Sequence, residues 1–274
     1  MKTTTKPNKS TKLKRLTRQQ LELVELVYKF RFVTSKLVSE KYGRSSKAVM
    51  HRRLQLLTEK EILGMHYDGH MRLRGEPASY YLLQDGIAAL KAQSDPELVS
   101  RRTLQATYKD RTAKKTFIYD SLVIFQLYNR YRGLYGEAIS FSTKSNMTFT
   151  VFDYFPDPLP DGFIRLDQSD TTQYFFLEYV DSRITAIGMY KLVKKYADYF
   201  EDDKWSSRRS GSPIMLLVCE TESVLKAIKK QVVASGLDDD RFLVCLIDNP
   251  KMYSSEDLYS YGWAILTLWM SYLK

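Results

Sequence analysis

A chain of 274 residues with 44% hydrophobic and 27% charged residues has enough apolar material for two modest globular domains, which excludes a wholly disordered chain. Its net charge is +10, and its longest strongly apolar stretch, "WAILTLWMSYL", is well short of the roughly 20 residues a spanning helix needs. The Lys/Thr-rich start lacks the apolar core of a signal peptide, so a cytoplasmic protein with no membrane partner is expected, and Cys219 and Cys245, each inside an apolar run, are expected to be free thiols.

The charge is unevenly placed. Residues 1–115 hold 25 Lys/Arg against 11 Asp/Glu, a balance of +14, whereas residues 116–274 hold 17 against 21, a balance of −4. A positive field confined to one half attracts a polyanion, and double-stranded DNA is the expected partner because neutralised phosphates release their counterions. Residues 1–15 are dense in lysine and free of acids, which predicts a disordered basic arm.

From Thr17, an N-cap type, "TRQQLELVELVYKFRF" places Leu21, Val24 and Tyr28 on one helical stripe. "TSKLVSEKYG" predicts a second helix from Thr34 to the stop at Gly43. A third begins at Ser45 or Ser46 and runs to about Lys60, with Met50, Leu54 and Leu57 on one face and Lys47, His51 and Gln55 on another. "ILGMHYDGHMRLRGEPASYYLL" then reads as strand, basic turn and strand, and Asp85 caps a further helix through "GIAALKA". This order predicts a winged helix-turn-helix over residues 16–92. Its third helix directs Arg44, Ser46, Lys47, His51, Arg52 and Gln55 at DNA, with Arg72 and Arg74 reaching phosphate or minor groove from the wing. His66 and His70 lie in that wing without a nearby cysteine and do not make a zinc site.

Residues 93–115 read as a connector. Residues 116–274 begin with an apolar helix, "FIYDSLVIFQLYNRYRG", after which "MTFTVFDYF", "QYFFLEYV", "PIMLLVCE" and "FLVCLID" predict strands. Two helical patterns, "ITAIGMYKLVKKYADYFEDD" and "ESVLKAIKKQVVASG", alternate with them, so an α/β domain with a mixed sheet covered by helices is expected. Asp161 follows a Pro-rich turn, and Glu178 interrupts the apolar "FFLEYV". Two carboxylates from neighbouring strands share Mg²⁺ or Mn²⁺ through oxygen ligands, whereas the alternative is a salt bridge from Glu178 to Arg183 or to a lysine of the next helix. The histidine pattern of tyrosine relaxases, the constellation of tyrosine recombinases and a Walker phosphate loop are all missing from the sequence.

The winged helix, the connector, "PDG", "FFLEYVDS" and "KLVKKYADYF", in that order from about Leu16 to about Cys245, resemble the replication-relaxation family of plasmids and integrative elements. The second half also resembles the restriction-endonuclease-like, or PD-(D/E)XK, fold. That resemblance implies Asp161 and Glu178 as metal-binding and catalytic acids, with Glu137 as a helical acid of the same site. The nuclease pattern has a lysine two residues after the strand glutamate, where this chain has Val180. A migrated lysine, Lys191 or Lys194, would have to turn inward, but Leu192, Tyr196 and Tyr199 claim the packed face.

The expectation is therefore a DNA-binding accessory or regulatory protein of conjugative transfer, mobilisation or replication, with a degenerate nuclease-like domain and no cofactor needed for binding. The resemblance implies a relaxase or replication protein as partner, and a homodimer is left open. Two alternatives stay open: an active Mg²⁺- or Mn²⁺-dependent DNA endonuclease or nickase using Asp161, Glu178 and Lys191, and a winged-helix transcription regulator.

Overall fold

The computed structural model describes residues 15–43, 46–94, 99, 101–147, 152–168, 171–206, 208–209, 211–236 and 239–250. The basic arm up to residue 14, Arg44 and the C-terminal stretch from 251 lie outside the described residues. The chain divides into two compact units, residues 1–122 and 123–274.

The first unit opens with α1 (Arg18–Phe30), whose N-terminus is a capping box: the Thr17 side chain accepts from the Gln20 N–H, and the Gln20 side chain accepts from the Thr17 N–H. Helix α2 (Ser35–Tyr42) is capped by Thr34 and ends at Gly43, whose φ of 61° lets its N–H turn back to the carbonyls of Ser39 and Glu40. Helix α3 (Lys47–Glu59) starts from Ser46, whose hydroxyl accepts the Val49 N–H at 3.2 Å. Strands β1 (Leu63–His66) and β2 (Ser79–Leu82) pair antiparallel, and Val33 adds an antiparallel bridge to Tyr80. The segment joining them is more structured than a hairpin turn, because Asp68 accepts the Met71 N–H at 2.8 Å and caps the short helix α4 (Gly69–Leu73).

Helix α5 (Gln84–Gln93) begins at Leu83 rather than Asp85, which stands in its first turn. Helix α6 (Arg101–Thr107) and a 3-10 turn at Asp110–Thr112 follow. The core of this unit is mainly aliphatic with aromatic Phe32 within it: Val24, Val27, Phe32, Val38, Met50, Leu54, Leu57, Ile62 and Leu63 are all at most 1% exposed. Each contributes roughly 1.5–3 kcal/mol by burial.

Helix α7 (Lys115–Tyr135) leads into the second unit. There β3 (Ile139–Thr143), β4 (Gly162–Asp167), β5 (Thr172–Val180), β6 (Ile214–Cys219) and β7 (Phe242–Leu246) form one five-stranded sheet in that spatial order. The pairs β3–β4 and β4–β5 are antiparallel, and β5–β6 and β6–β7 are parallel. Each parallel step crosses over through a helix, α8 (Ala186–Glu201) and α9 (Glu222–Ala234). The expected mixed α/β sheet with covering helices is therefore present.

Of the strand expected at "MTFTVFDYF", residues 148–151 lie outside the described residues, and the described ones, 147 and 152–155, are not in a strand; among the described residues the strands of this sheet before β5 are β3 and β4. Phe152, Tyr154 and Phe155 instead pack as aromatics against Phe163, Phe176 and Trp205, which explains their apolar character without a strand. Period-2 alternation puts Phe176, Glu178 and Val180 on the face covered by α8 and α9, where Met189, Val193, Tyr196, Val224 and Ile228 are buried.

Neither cysteine is in a disulfide, as expected. Cys219 pairs in register with Leu246 and Cys245 with Val218, so the two side chains stand on opposite faces of the sheet and do not meet. Burial pushes the Cys219 thiol up to about 12. Cys219 is accordingly expected to resist alkylation at pH 8 until the protein is unfolded, a result read by mass spectrometry; prompt labelling of native Cys219 would contradict this packing.

Among the described residues, no helix is long and apolar enough to cross a membrane.

Candidate functional site

The antiparallel register builds a row of charged side chains at one end of the sheet. Thr143 stands opposite Gly162, and Gly162 opposite Leu177. One residue further along, Lys144, Asp161 and Glu178 come side by side on three neighbouring strand ends. Lys144 Nζ donates to Asp161 Oδ1 at 2.6 Å, and the Tyr179 N–H donates to Asp161 Oδ2 at 3.0 Å, which fixes the plane of that carboxylate. Glu178 is 8% exposed. Its Oε1 accepts from Lys195 Nζ and from the Tyr196 hydroxyl, both at 2.7 Å.

Lys195 also donates to the Pro158 carbonyl at 3.2 Å, and its ammonium stands 4.2 Å from the Tyr196 ring centroid. A buried carboxylate is costly unless it is paired and hydrogen-bonded, and Glu178 is both.

The two acids are pushed in opposite directions. Burial pushes the Asp161 carboxyl up, but Lys144, the Tyr179 N–H and a hydrogen bond with Glu178 outweigh it and hold the group below the usual carboxylate range. Burial and the adjacent Asp161 charge raise Glu178 against the pull of Lys195 and Lys144. Burial and the neighbouring Glu178 also drive the Tyr196 hydroxyl well above its ordinary value, so it stays protonated and donates. One site thus holds a charged acid beside a more readily protonated one, the asymmetry used in acid–base chemistry.

Asp161 and Glu178 are thus brought together, and two other expected members are not. Glu137 stands in a 3-10 turn before β3, paired with Arg132, with its side chain 93% exposed. It sits at the opposite end of β3 from Lys144, roughly 20 Å away at strand rise. Lys191 is exposed on α8, and Lys194 is exposed and bonded to Asp198 at 2.8 Å.

The lysine that reaches the acids is Lys195, so the alternative of a salt bridge from Glu178 to a lysine of the next helix is met, at a residue other than Lys191 and Lys194. Its signal was present: Leu192, Lys195, Tyr196 and Tyr199 follow the i, i+3, i+4, i+7 spacing of one stripe, so Lys195 shares the inward face with the residues that claim it. Arg183 is taken by Asp181 and leaves Glu178 to the helix lysine.

In the first unit, the outer face of α3 carries Lys47, His51, Arg52 and Gln55, all exposed, opposite fully buried Met50, Leu54 and Leu57. The His51 ring is anchored through Nδ1, 3.2 Å from the Tyr80 hydroxyl. Ser46 serves as the α3 cap. Arg72 is exposed on α4, and Arg74 is paired with Glu76 at 2.6 Å at the surface. His66 is turned inward, with Nε2 2.8 Å from the Asp110 carbonyl and its ring 4.7 Å from that of Tyr81.

A family model for replication-relaxation proteins matches residues 24–214, a span that includes α3, Asp161, Glu178 and Lys195. The chain belongs to the replication-relaxation family. A search of curated proteins returns no match. Among solved structures, this replication-relaxation protein is similar to the restriction endonuclease FokI, with a TM-score of 0.32 at 12% identity, over 84% of this chain and 42% of that one. A structure of FokI bound to DNA gives a TM-score of 0.29 at 12% identity, over 84% and 43%. The chain thus spans less than half the length of the solved chains it matches.

Among the described residues, no three His, Cys, Asp or Glu side chains converge on one point. Two carboxylates are nonetheless a fitting donor set for a hard dication such as Mg²⁺, which is commonly held by one or two carboxylates together with waters and substrate phosphates.

Proposed function

We propose that this replication-relaxation protein binds double-stranded DNA through a winged helix in its first unit, as an accessory or regulatory protein of plasmid or integrative-element replication or transfer. The observation that carries this is the outer face of α3. Lys47, His51, Arg52 and Gln55 stand in solvent on a helix whose opposite stripe is completely buried. The same free side also exposes Val49 and Leu56, which can meet thymine methyls or sugars, while its polar side chains match the types that hydrogen-bond base edges and phosphates.

The +14 balance of residues 1–115 supplies a field that favours phosphate. Exposed Arg72 extends the basic surface to the segment between β1 and β2, while Arg74 must exchange its bond to Glu76 for one to phosphate. The test is competition: a labelled duplex from the flanking intergenic region is challenged with unlabelled specific and scrambled duplexes at moderate salt. The specific competitor is expected to be at least tenfold more effective; equal competition would count against sequence-directed binding.

A second reading is favoured by Lys195. The resemblance to nucleases fails at Val180, but the Lys195 ammonium reaches Glu178 from α8 and places a positive charge at the carboxylate pair by another route. Asp161 and Glu178 would hold Mg²⁺ or Mn²⁺, which supplies Lewis-acid polarisation of a phosphodiester and an activated water. In that role Lys195 and Tyr196 orient Glu178, and the Tyr179 N–H orients Asp161.

A further inference from the structure

The two lysines at the carboxylate pair are held very differently. Lys195 is an inner residue, 15% exposed, with its ammonium bound to Glu178 and the Pro158 carbonyl and set over the Tyr196 ring. Lys144 comes from the turn after β3, its side chain 53% exposed, and reaches Asp161 Oδ1 from the solvent side. The Asp161 carboxylate does not depend on Lys144 for its orientation, because the Tyr179 N–H fixes its other oxygen.

We propose that Lys144 is an exchangeable counter-ion, which neutralises Asp161 in the metal-free protein and withdraws when a divalent cation binds at Asp161 and Glu178. This rests on the second reading above, that the pair accepts such a cation. The charge balance requires a departure. With both acids ionised, two carboxylates and two ammonium groups are neutral, so a dication added to the undisturbed row leaves a charge of about +2 in a partly buried place. Withdrawal of one lysine leaves about +1, which a single phosphodiester neutralises.

Of the two lysines, Lys195 would strand a buried Glu178, whereas Lys144 has half its side chain in water already. Once withdrawn, the Lys144 ammonium remains next to the site and is available to a phosphate oxygen. Metal and DNA would then be linked, each favouring the state in which Lys144 has left Asp161.

The full-length wild type, Lys144→Met, Lys144→Arg and the double variant Lys144→Met/Asp161→Asn are titrated with Mn²⁺ without DNA, and free Mn²⁺ is followed by its paramagnetic resonance signal. Thermal melts verify that each is folded. Lys144→Met is expected to bind about tenfold more tightly than wild type, since a competing charge has gone. Lys144→Arg should stay within about twofold of wild type, and the double variant should lose this binding. Equal Asp161-dependent affinities for wild type and Lys144→Met would overturn the counter-ion role while leaving the cation site standing. No Asp161-dependent Mn²⁺ binding in either protein would overturn the cation site and the counter-ion role with it.

Discussion

Replacement of Asp110 by alanine is expected to destabilise the first unit by about 3–5 kcal/mol, the usual loss when one partner of a buried ion pair is removed. Arg31 ends α1 with φ at 68°, a conformation that a non-glycine residue adopts only when its surroundings hold it there. Here its Nε donates to Asp110 Oδ2 at 2.9 Å, one terminal nitrogen donates to the Ala106 carbonyl at 3.0 Å and to Asp110 Oδ1, and the guanidinium lies 5.5 Å from the Phe117 ring centroid.

The Asp110 side chain is 1% exposed and that of Arg31 is 17% exposed, so truncation leaves a cation with little water to replace its partner. Burial pushes the Asp110 carboxyl up against the opposing pull of Arg31, which marks the pair as costly to bury and costlier to break. Removal of both charges, as in Arg31→Met/Asp110→Leu, is expected to recover most of the loss. Urea unfolding followed by circular dichroism decides this, and a loss below about 1 kcal/mol for Asp110→Ala would contradict it.

Any strand cutting performed at the carboxylate pair is expected to fall by about 10²- to 10³-fold in Glu178→Ala, which corresponds to several kcal/mol of lost transition-state stabilisation. Supercoiled plasmid is incubated with Mn²⁺, and conversion to the nicked form is followed on gels. Lys195→Met is expected to lower the rate as well, because Lys195 contacts Glu178 directly, and Lys191→Ala is expected to leave it unchanged, because Lys191 stands in solvent.

Alanine at 178 also removes the acceptor of Lys195 and Tyr196, so Glu178→Gln is the fairer comparison: it keeps an acceptor oxygen and loses the charge. Plasmid left supercoiled by wild type, or cut equally fast by Glu178→Gln, would remove the second reading and leave the pair as a structural cluster.

The helices were legible in the sequence for local reasons. Thr17, Thr34 and Ser46 cap the helices they were expected to cap, and the Met50, Leu54, Leu57 stripe is fully buried. Strands β5, β6 and β7 were legible because they carry continuous apolar runs.

Strands β3 and β4 escaped because "ISFST" and "GFIRLD" are short and mixed, and their pairing is set by tertiary contact rather than by local pattern. Their absence from the sequence reading hid Lys144, which enters the site only through the β3–β4 register. Glu178 is legible because an acid in an apolar strand needs a partner, and Asp161 because it follows a Pro-rich turn in the order that the nuclease-like pattern implies. The expected salt bridge from Glu178 to a lysine of the next helix is met by Lys195, whereas Lys191 and Lys194, the candidates for a migrated nuclease lysine, stand in solvent four residues and one residue before it on the helix. Glu137 was placed by resemblance alone, and the end of α7 at Tyr135 leaves it in a surface turn away from the acids.

Binding of a fluorescent duplex from the flanking intergenic region, measured by anisotropy across a salt series for wild type, Lys47→Ala and Arg52→Ala, tests the α3 assignment most directly. For wild type, log affinity is expected to fall linearly with log salt. Lys47→Ala is expected to reduce that slope by about 1, and Arg52→Ala to cost about 1–3 kcal/mol and relax the preference for the specific duplex over a scrambled one. Unchanged affinity, slope and preference in both variants would contradict a DNA-binding role for this helix.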